Sequence, residues 1–149
     1  MTEHKTRDTS ALSLWFQRKM NARATAKLRR KGSGKIMGMD VAILHTVGKR
    51  SGQPRQTPVS WWPDEDGARL VIASGGGNLD PDWYVNLMAN PEQASLELPG
   101  AETVGVAPRR LTGADRERAY ARITAAQPRI AKYQSKSDRE YPVVRLSPR

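Results

Sequence analysis

The sequence contains no cysteine, only two histidines and no long hydrophobic run. Without cysteine it cannot form a disulfide, a thiolate metal site or a cysteine nucleophile. His4 and His45 are too few to indicate a metal centre, so we expect no bound metal. No stretch approaches the roughly 20 apolar residues of a membrane-spanning helix, and the N-terminus lacks the apolar core of a secretory signal. We therefore expect a cytoplasmic protein.

Acidic residues are scarce in the first 35 residues, which carry most of the net charge of +10. Residues 1–35 hold ten Lys or Arg against two acidic residues, a net charge of +8, whereas the rest of the chain holds 15 against 13, a net charge of +2. Basicity is thus a property of the N-terminal segment, which could meet an anionic membrane surface, a nucleic acid or an anionic ligand.

Helix-forming residues dominate the stretch 10–31, which predicts an N-terminal helix. Leu12, Trp15 and Phe16 would share one face of it, with basic side chains around that face. Three interpretations stay open: packing of the apolar face on the rest of the protein, peripheral contact with a membrane surface, and a nucleic-acid-binding arm. The first is favoured, and we expect no nucleic-acid partner.

After residue 35, short apolar runs alternate with turn residues such as Gly-Gln-Pro, Asp-Glu-Asp-Gly and Pro-Gly. Six strands are predicted: Val41–Val47, Gln56–Trp62, Ala68–Ser74, Ala94–Leu98, Glu102–Arg110 and Tyr141–Leu146. Helices are predicted over 82–89, with Asp80 as N-cap, and from a capping box at Thr112 to about Gln127. This pattern favours an antiparallel, nearly closed barrel over a βαβ fold. The chain is long enough for one such domain, so we divide it into a basic helical segment, 1–35, and a barrel, 36–149.

A glycine-containing basic turn follows the first predicted strand. Gly48 and Gly52 allow a tight turn that exposes backbone N–H groups, and Lys49, Arg50 and Arg55 add three cations. Such a turn could bind the phosphates or carboxylates of a cofactor tail, because guanidinium groups make two-point contacts with these oxygens. The alternative is a solvated hairpin turn that happens to carry charge.

A second glycine-rich loop, 73–79, joins the third strand to the helix at 82–89. Three consecutive glycines permit a flat ligand to approach the backbone closely, and the helix N-terminus offers free N–H donors. A cofactor ring could lie there. The alternative is an ordinary flexible loop, with Trp83 and Leu87 packed into the core.

Three segments together resemble the deazaflavin-dependent nitroreductase family. They are LHTVGKRSGQPRQTP at 44–58, DWYVNLMANP at 82–91 and YQSKSDREYPVV at 133–144. Their order and spacing agree with the family from about residue 36 to residue 147. The resemblance implies a mainly β (α+β) split β-barrel of about six antiparallel strands, with an N-terminal helix and two to three covering helices, that binds coenzyme F-420.

The resemblance also implies site residues. Lys49, Arg50 and Arg55 would hold the anionic tail of the cofactor. The channel for this tail would be shaped by Ser51, Thr57 and Pro58. Backbone groups would contact the deazaflavin ring at Ala73, Ser74, Gly75, Gly76 and Gly77. The ring would be covered by Trp83 and Tyr84. Tyr133 would be the catalytic residue of the substrate pocket, orienting an acceptor or donating a proton after hydride transfer. Its alternative is a half-buried tyrosine on the barrel lid, and Arg139 is expected to hold the C-terminal strand.

The implied activity is a hydride transfer from reduced F-420 to a small electron-poor substrate, such as an enone, a quinone or a nitroaromatic compound. The cofactor would supply the chemistry and the protein the orientation. Two alternatives stay open, an FMN-binding split-barrel oxidoreductase and a non-catalytic basic module for anionic lipid or nucleic acid. The chain is expected to be a monomer or a homodimer.

Overall fold

Antiparallel strands make up most of the structure, a computed structural model that describes residues 23, 26, 35–36, 38–75 and 79–149. The strands are β1 (Lys35–Ile36), β2 (Met39–Val47), β3 (Pro54–Ser60), β4 (Trp62–Pro63), β5 (Arg69–Ile72), β6 (Ser95–Glu97), β7 (Thr103–Arg110) and β8 (Val143–Pro148). All six predicted strands are present. The structure adds the short β1 and divides the predicted strand 56–62 into β3 and β4.

The strands form one sheet in the order β1-β2-β6-β7-β8-β5-β4, and β3 pairs with residues 41–47 of β2. β3 runs into β4 through the single residue Trp61, whose N–H donates to the carbonyl of Asp40 at 3.0 Å. The same stretch of chain therefore pairs with β2 at its beginning and with β5 at its end. This bend nearly closes the sheet, which confirms the predicted split-barrel fold.

Two apolar clusters lie on opposite faces of the strands β5 and β8. Because successive side chains of a strand point to opposite faces, Val71 and Val144 contribute to one cluster and Leu70 and Val143 to the other. The first cluster fills the barrel interior with side chains such as Leu44. The second is covered by helices.

Three α-helices have their bounds within the described residues: α1 (Asp82–Ala89), α2 (Gly113–Ala126) and α3 (Arg129–Ser135). Two short 3-10 helices, Glu65–Gly67 and Pro91–Gln93, lie in the connections. α1 has its predicted bounds, and α2 lies within the predicted ones. Ala119 and Ile123 of α2 and Ile130 of α3 are buried in the second cluster, so α2 and α3 together cover that face of the sheet. The sequence patterns did not predict α3.

Both predicted side-chain caps are wrong. The N-cap of α1 is Pro81 rather than Asp80, and Thr112, although it is the N-cap of α2, makes no side-chain capping bond. Asp80 instead pairs with Arg139 at 2.9 Å, and Asp115 of the supposed capping box pairs with Arg118 at 2.6 Å. In both cases a nearby guanidinium competes successfully with backbone N–H groups for the carboxylate.

The helix predicted over 10–31 lies outside the described residues, except for Arg23 and Ala26, which are helical. Its proposed packing and membrane contact therefore stay predictions. Among the residues that the structure describes, no helix is long and apolar enough to cross a membrane.

Candidate cofactor-binding site

The basic turn between β2 and β3 has a defined backbone conformation. The N–H of Gly48 donates to the carbonyl of Gln53 at 2.9 Å, and the N–H of Gly52 donates to the carbonyl of Gly48 at 3.0 Å. Gly52 has a φ of +68°, in the left-handed region that favours glycine. A Cβ at Gly48 would lie 2.4 Å from Oγ of Ser51, so a side chain there would displace the serine hydroxyl.

Ser51 organises the interior of this turn. Its Oγ accepts hydrogen bonds from the N–H of Gln53 at 3.2 Å and from Nη2 of Arg55 at 3.3 Å. The serine thus connects the turn backbone to one of its three cations. Its predicted part in shaping a ligand channel would follow from holding Arg55 in place.

The cations of the turn are exposed and have no carboxylate partner among the described residues. Lys49, Arg50 and Arg55 are all exposed. None of them takes part in the ion pairs of the described part of the chain, all of which involve other basic residues. Clustered positive charges of this kind attract an anionic ligand.

Two asparagine side chains fasten α1 to this turn. Oδ1 of Asn86 accepts a hydrogen bond from the backbone N–H of Lys49 at 2.9 Å, and Nδ2 of Asn90 donates to the carbonyl of Val47 at 3.2 Å. The two contacts lie on either side of the point where β2 ends. They fix the turn relative to the helix that carries Trp83.

A cavity of about 730 Å³ lies between the basic turn and α1. It is lined by Gly48, Lys49, Arg50, Ser51, Arg55, Gln56, Thr57, Asp82, Trp83, Val85 and Asn86. Its volume falls within the range of about 300–1,000 Å³ typical of ligand and cofactor pockets. The described residues of this lining include three cations and one carboxylate, so the cavity suits an anionic ligand. The basic turn and the helix α1 therefore meet in one groove, whereas the described residues of the glycine loop do not line it.

Trp83 and Tyr84 are adjacent but lie in different surroundings. Trp83 lines the cavity while being 7% exposed, whereas Tyr84 is equally buried and its hydroxyl accepts a hydrogen bond from Nη1 of Arg110 at 3.2 Å. Their rings meet edge to face, with centroids 6.2 Å apart. Trp83 thus forms part of the cavity wall, and Tyr84 supports its ring from the core.

The other described residues that were predicted to contact the ligand are not among those that line this cavity. Pro58 is half-buried in β3, opposite Ile43 of β2. Ala73 is buried and Ser74 and Gly75 are half-buried in the loop after β5, whereas Gly76 and Gly77 lie outside the described residues. Their contacts with a cofactor ring stay predictions.

Tyr133 lies on α3 and its side chain is 50% exposed. Its carbonyl accepts a hydrogen bond from the hydroxyl of Tyr141 at 3.2 Å, which attaches α3 to the segment before β8. An exposed phenol can contact a small substrate, and the sequence predicted this position for an acceptor pocket. Its catalytic role stays a prediction.

Sequence reasoning missed four residues of the cavity wall, which are Gln56, Asp82, Val85 and Asn86. A signal was available for Asn86, because it lies three residues after Trp83 and residues three apart share a helix face. Gln56 carried no such signal. Side chains of a strand alternate in direction, yet Gln56 and its neighbour Thr57 both line the groove.

The fold and the groove define a split-barrel protein with a cavity that carries three cations in its lining. Comparison with known proteins identifies the family. The family model described as "F420H(2)-dependent quinone reductase" matches residues 15–148, which is most of the chain. The chain therefore belongs to the F-420H2-dependent quinone reductases, a family of oxidoreductases.

Individual relatives agree with this assignment. An F420H(2)-dependent quinone reductase of Mycobacterium tuberculosis is 34% identical over 112 residues, which is 72% of each chain. A solved F420-H2 dependent reductase is 32% identical, with a TM-score of 0.62, and the match covers 72% of this chain and 93% of that one. A solved domain-swapped dimer is 29% identical, with a TM-score of 0.64, over 85% of this chain and 96% of the other.

Proposed function

We propose that this chain transfers a hydride from reduced F-420 to a quinone or another electron-poor acceptor, including enones and nitroaromatic compounds. The single observation that carries the proposal is the cavity that joins the three cations of the basic turn to Trp83. The family supplies the cofactor and the quinone, and the groove supplies a site of suitable charge and size.

The residues present fit an elongated cofactor with a charged tail. Lys49, Arg50 and Arg55 would bind the anionic end, because they face a groove and lack carboxylate partners among the described residues. The apolar face of Trp83 would contact the ring system or its linker. Asn86 would hold the turn and the helix at a fixed separation while this ligand is bound.

When bound, reduced F-420 supplies a hydride from its ring carbon, so the protein needs no nucleophile of its own. The protein would bind and orient the cofactor and the acceptor, and it would exclude water from them. We assign Ala73, Ser74 and Gly75 to the ring-binding side and Tyr133 to the acceptor side. The phenol of Tyr133 would donate a hydrogen bond to a carbonyl or nitro oxygen of the acceptor.

The direct experiment uses the purified full chain. We expect oxidised F-420 to bind, with a change in its fluorescence, and reduced F-420 to be oxidised when a soluble quinone such as menadione is added. An enone and a nitroaromatic compound, tested in parallel, would establish the range of acceptors. The proposal fails if no binding is detected even at low salt, where attraction between charges is least screened.

The same preparation distinguishes F-420 from FMN. Titration with FMN under identical conditions is expected to give weaker binding than titration with F-420. Tighter binding of FMN, or a yellow protein with the absorbance spectrum of a flavin as isolated, would favour the alternative cofactor. Light scattering of this sample would also report the assembly, for which the domain-swapped dimer supports a homodimer.

A further inference from the structure

Arg139 makes the most extended set of long-range side-chain contacts near the glycine loop. Its Nη1 donates to the carbonyl of Ala73 at 3.0 Å and to Oδ1 of Asp80 at 2.9 Å, and its Nη2 donates to the carbonyl of Gly75 at 2.9 Å. A single guanidinium thus holds both flanks of the segment 76–78. From the sequence, Arg139 was expected to hold the C-terminal strand.

The surroundings of Arg139 make these contacts strong. The side chain is 14% exposed, and its guanidinium carbon lies 5.0 Å from the ring centroid of Tyr141. Charge-assisted hydrogen bonds are stronger than neutral ones, and they gain further where water is largely excluded. Stacking on the tyrosine fixes the plane of the guanidinium, so all three acceptors are met by one orientation.

The backbone of Arg139 is held just as firmly, but by α3. Its carbonyl accepts from Nε2 of Gln134 at 2.9 Å, and the same glutamine uses its Oε1 to accept from the N–H of Tyr141 at 2.8 Å. The hydroxyl of Tyr141 donates in turn to the carbonyl of Tyr133. Arg139 is therefore joined to the glycine loop through its side chain and to the helix of Tyr133 through its main chain.

We propose that Arg139 is a positioning residue that sets the distance between the two sides of the reaction. It connects the loop assigned to the cofactor ring with the helix assigned to the acceptor. This inference rests on the proposed function. Because hydride transfer requires the reacting atoms at near-contact distance, an error of about 1 Å can cost about 100-fold in rate.

Substitution at Arg139 should therefore affect turnover more than cofactor binding. In Arg139→Met the apolar stem is retained but all three hydrogen bonds are lost. We expect kcat with menadione to fall about 100-fold. The Kd for oxidised F-420 should stay within about threefold of the wild-type value, because the cations that bind its tail lie elsewhere.

The contacts of Arg139 with the glycine loop can also be tested in the absence of cofactor. Amide hydrogen exchange of the unloaded protein should become faster in the peptides that cover 73–75 and 79–81, since local opening governs exchange. Arg139→Lys keeps the charge but cannot reach three acceptors in one plane, so it should lie between the wild type and Arg139→Met in both readouts. It also serves as the test variant if Arg139→Met fails to fold.

Arg145→Met is the matched control. Arg145 is also partly buried, and it pairs with Asp64 at 3.1 Å and donates to the carbonyl of Glu65 at 3.1 Å. Both partners precede β5, whereas the glycine loop follows that strand. We expect it to lower the melting temperature without selective loss of kcat. Equal losses of kcat in both variants, or unchanged exchange at 73–75 and 79–81 in the Arg139 variants, would overturn the inference. Failure of the wild type to bind F-420 would instead overturn the proposed function.

Discussion

At the scale of single residues, the unusual feature of this molecule is a group of cations without carboxylate partners in the described part of the chain. Lys49, Arg50 and Arg55 lie close together on the basic turn, where like charges repel one another, and Asp82 is the one carboxylate among the described residues that line the groove. A bound anion would relieve that repulsion and would stabilise the folded state by mass action. Tests at single residues should therefore change the charge of the groove.

Removal of one cation should weaken cofactor binding. We expect Arg55→Met to raise the Kd for F-420 about tenfold at low salt, because one charge-assisted contact in a solvent-exposed site is lost. The loss should shrink as salt is added. Fluorescence titration at two salt concentrations would measure both effects.

Arg118→Met is the control for this substitution. Arg118 is equally exposed on α2, where it pairs with Asp115, and it does not line the groove. If both variants lose the same affinity, the effect reflects the overall charge of the protein and the groove is not the binding site.

Two substitutions of Asn86 separate the effect of charge on F-420 binding from the effect of the contact with the basic turn. Asn86→Asp keeps an oxygen acceptor for the N–H of Lys49 but adds a negative charge to the wall of the groove. We expect about tenfold weaker F-420 binding at low salt and a smaller effect at high salt. Asn86→Ala loses the acceptor without adding charge, so its effect should depend little on salt. Identical salt dependence of the two variants would contradict this account of the site.

At the scale of elements, the basic turn depends on one backbone conformation. In Gly52→Ala the new residue must adopt a φ near +68°, which costs L-residues about 1–2 kcal/mol. We expect the free energy of unfolding to fall by about 1 kcal/mol, since alanine also restricts the unfolded chain. Urea denaturation would measure this change.

Gly105→Ala is the comparison for the turn. Gly105 lies in β7, and a Cβ there would meet only the side chain of Arg149 at 3.8 Å, an ordinary contact. Its free energy of unfolding should change by less than about 0.5 kcal/mol. A larger loss in Gly105→Ala than in Gly52→Ala would show that backbone conformation does not limit the stability of the turn.

Most elements could be predicted from the sequence because their signals are local. Alternating runs and turn residues mark the strands, and Pro81 with the pair Asn90-Pro91 brackets α1. The helix α3 was missed because it is short and exposes Tyr133, and Ile130 is its one buried residue. Seven residues with one buried side chain carry no helical periodicity.

Long-range contacts could not be predicted in this way. The sequence identified the basic turn and the tryptophan helix separately, and the family resemblance placed them in one site. Arg139 shows the limit clearly: its partners Ala73 and Gly75 are 66 and 64 residues away. No local pattern reports such a contact, and a carboxylate like that of Asp80 is assigned to a helix cap unless its distant partner is known.

At the scale of the whole molecule, the two apolar clusters share the strands β5 and β8. Leu44 lies in one cluster and Ile123 in the other, and both are fully buried. Because adjacent residues of the shared strands belong to different clusters, neither cluster can open without disturbing the other. The protein should therefore unfold as one cooperative unit.

Substitutions in either cluster should confirm this coupling. We expect Leu44→Ala and Ile123→Ala each to lower the free energy of unfolding by about 2–5 kcal/mol. In each variant, circular dichroism and tryptophan fluorescence should give coincident transitions, since Trp83 reports on the first cluster and Trp62 on the second. Separate transitions in Ile123→Ala would show that the helical cover unfolds independently.

The exposure of the three cations has a consequence for which cofactor molecules the protein accepts. A closed pocket would measure the length of its ligand, whereas exposed side chains on the wall of an open groove sense mainly how much negative charge is nearby. Cofactor variants whose tails differ by several carboxylates should thus occupy the same place, with the surplus trailing outward. Selectivity would then reside at the ring end, and tail heterogeneity in the cell would be tolerated.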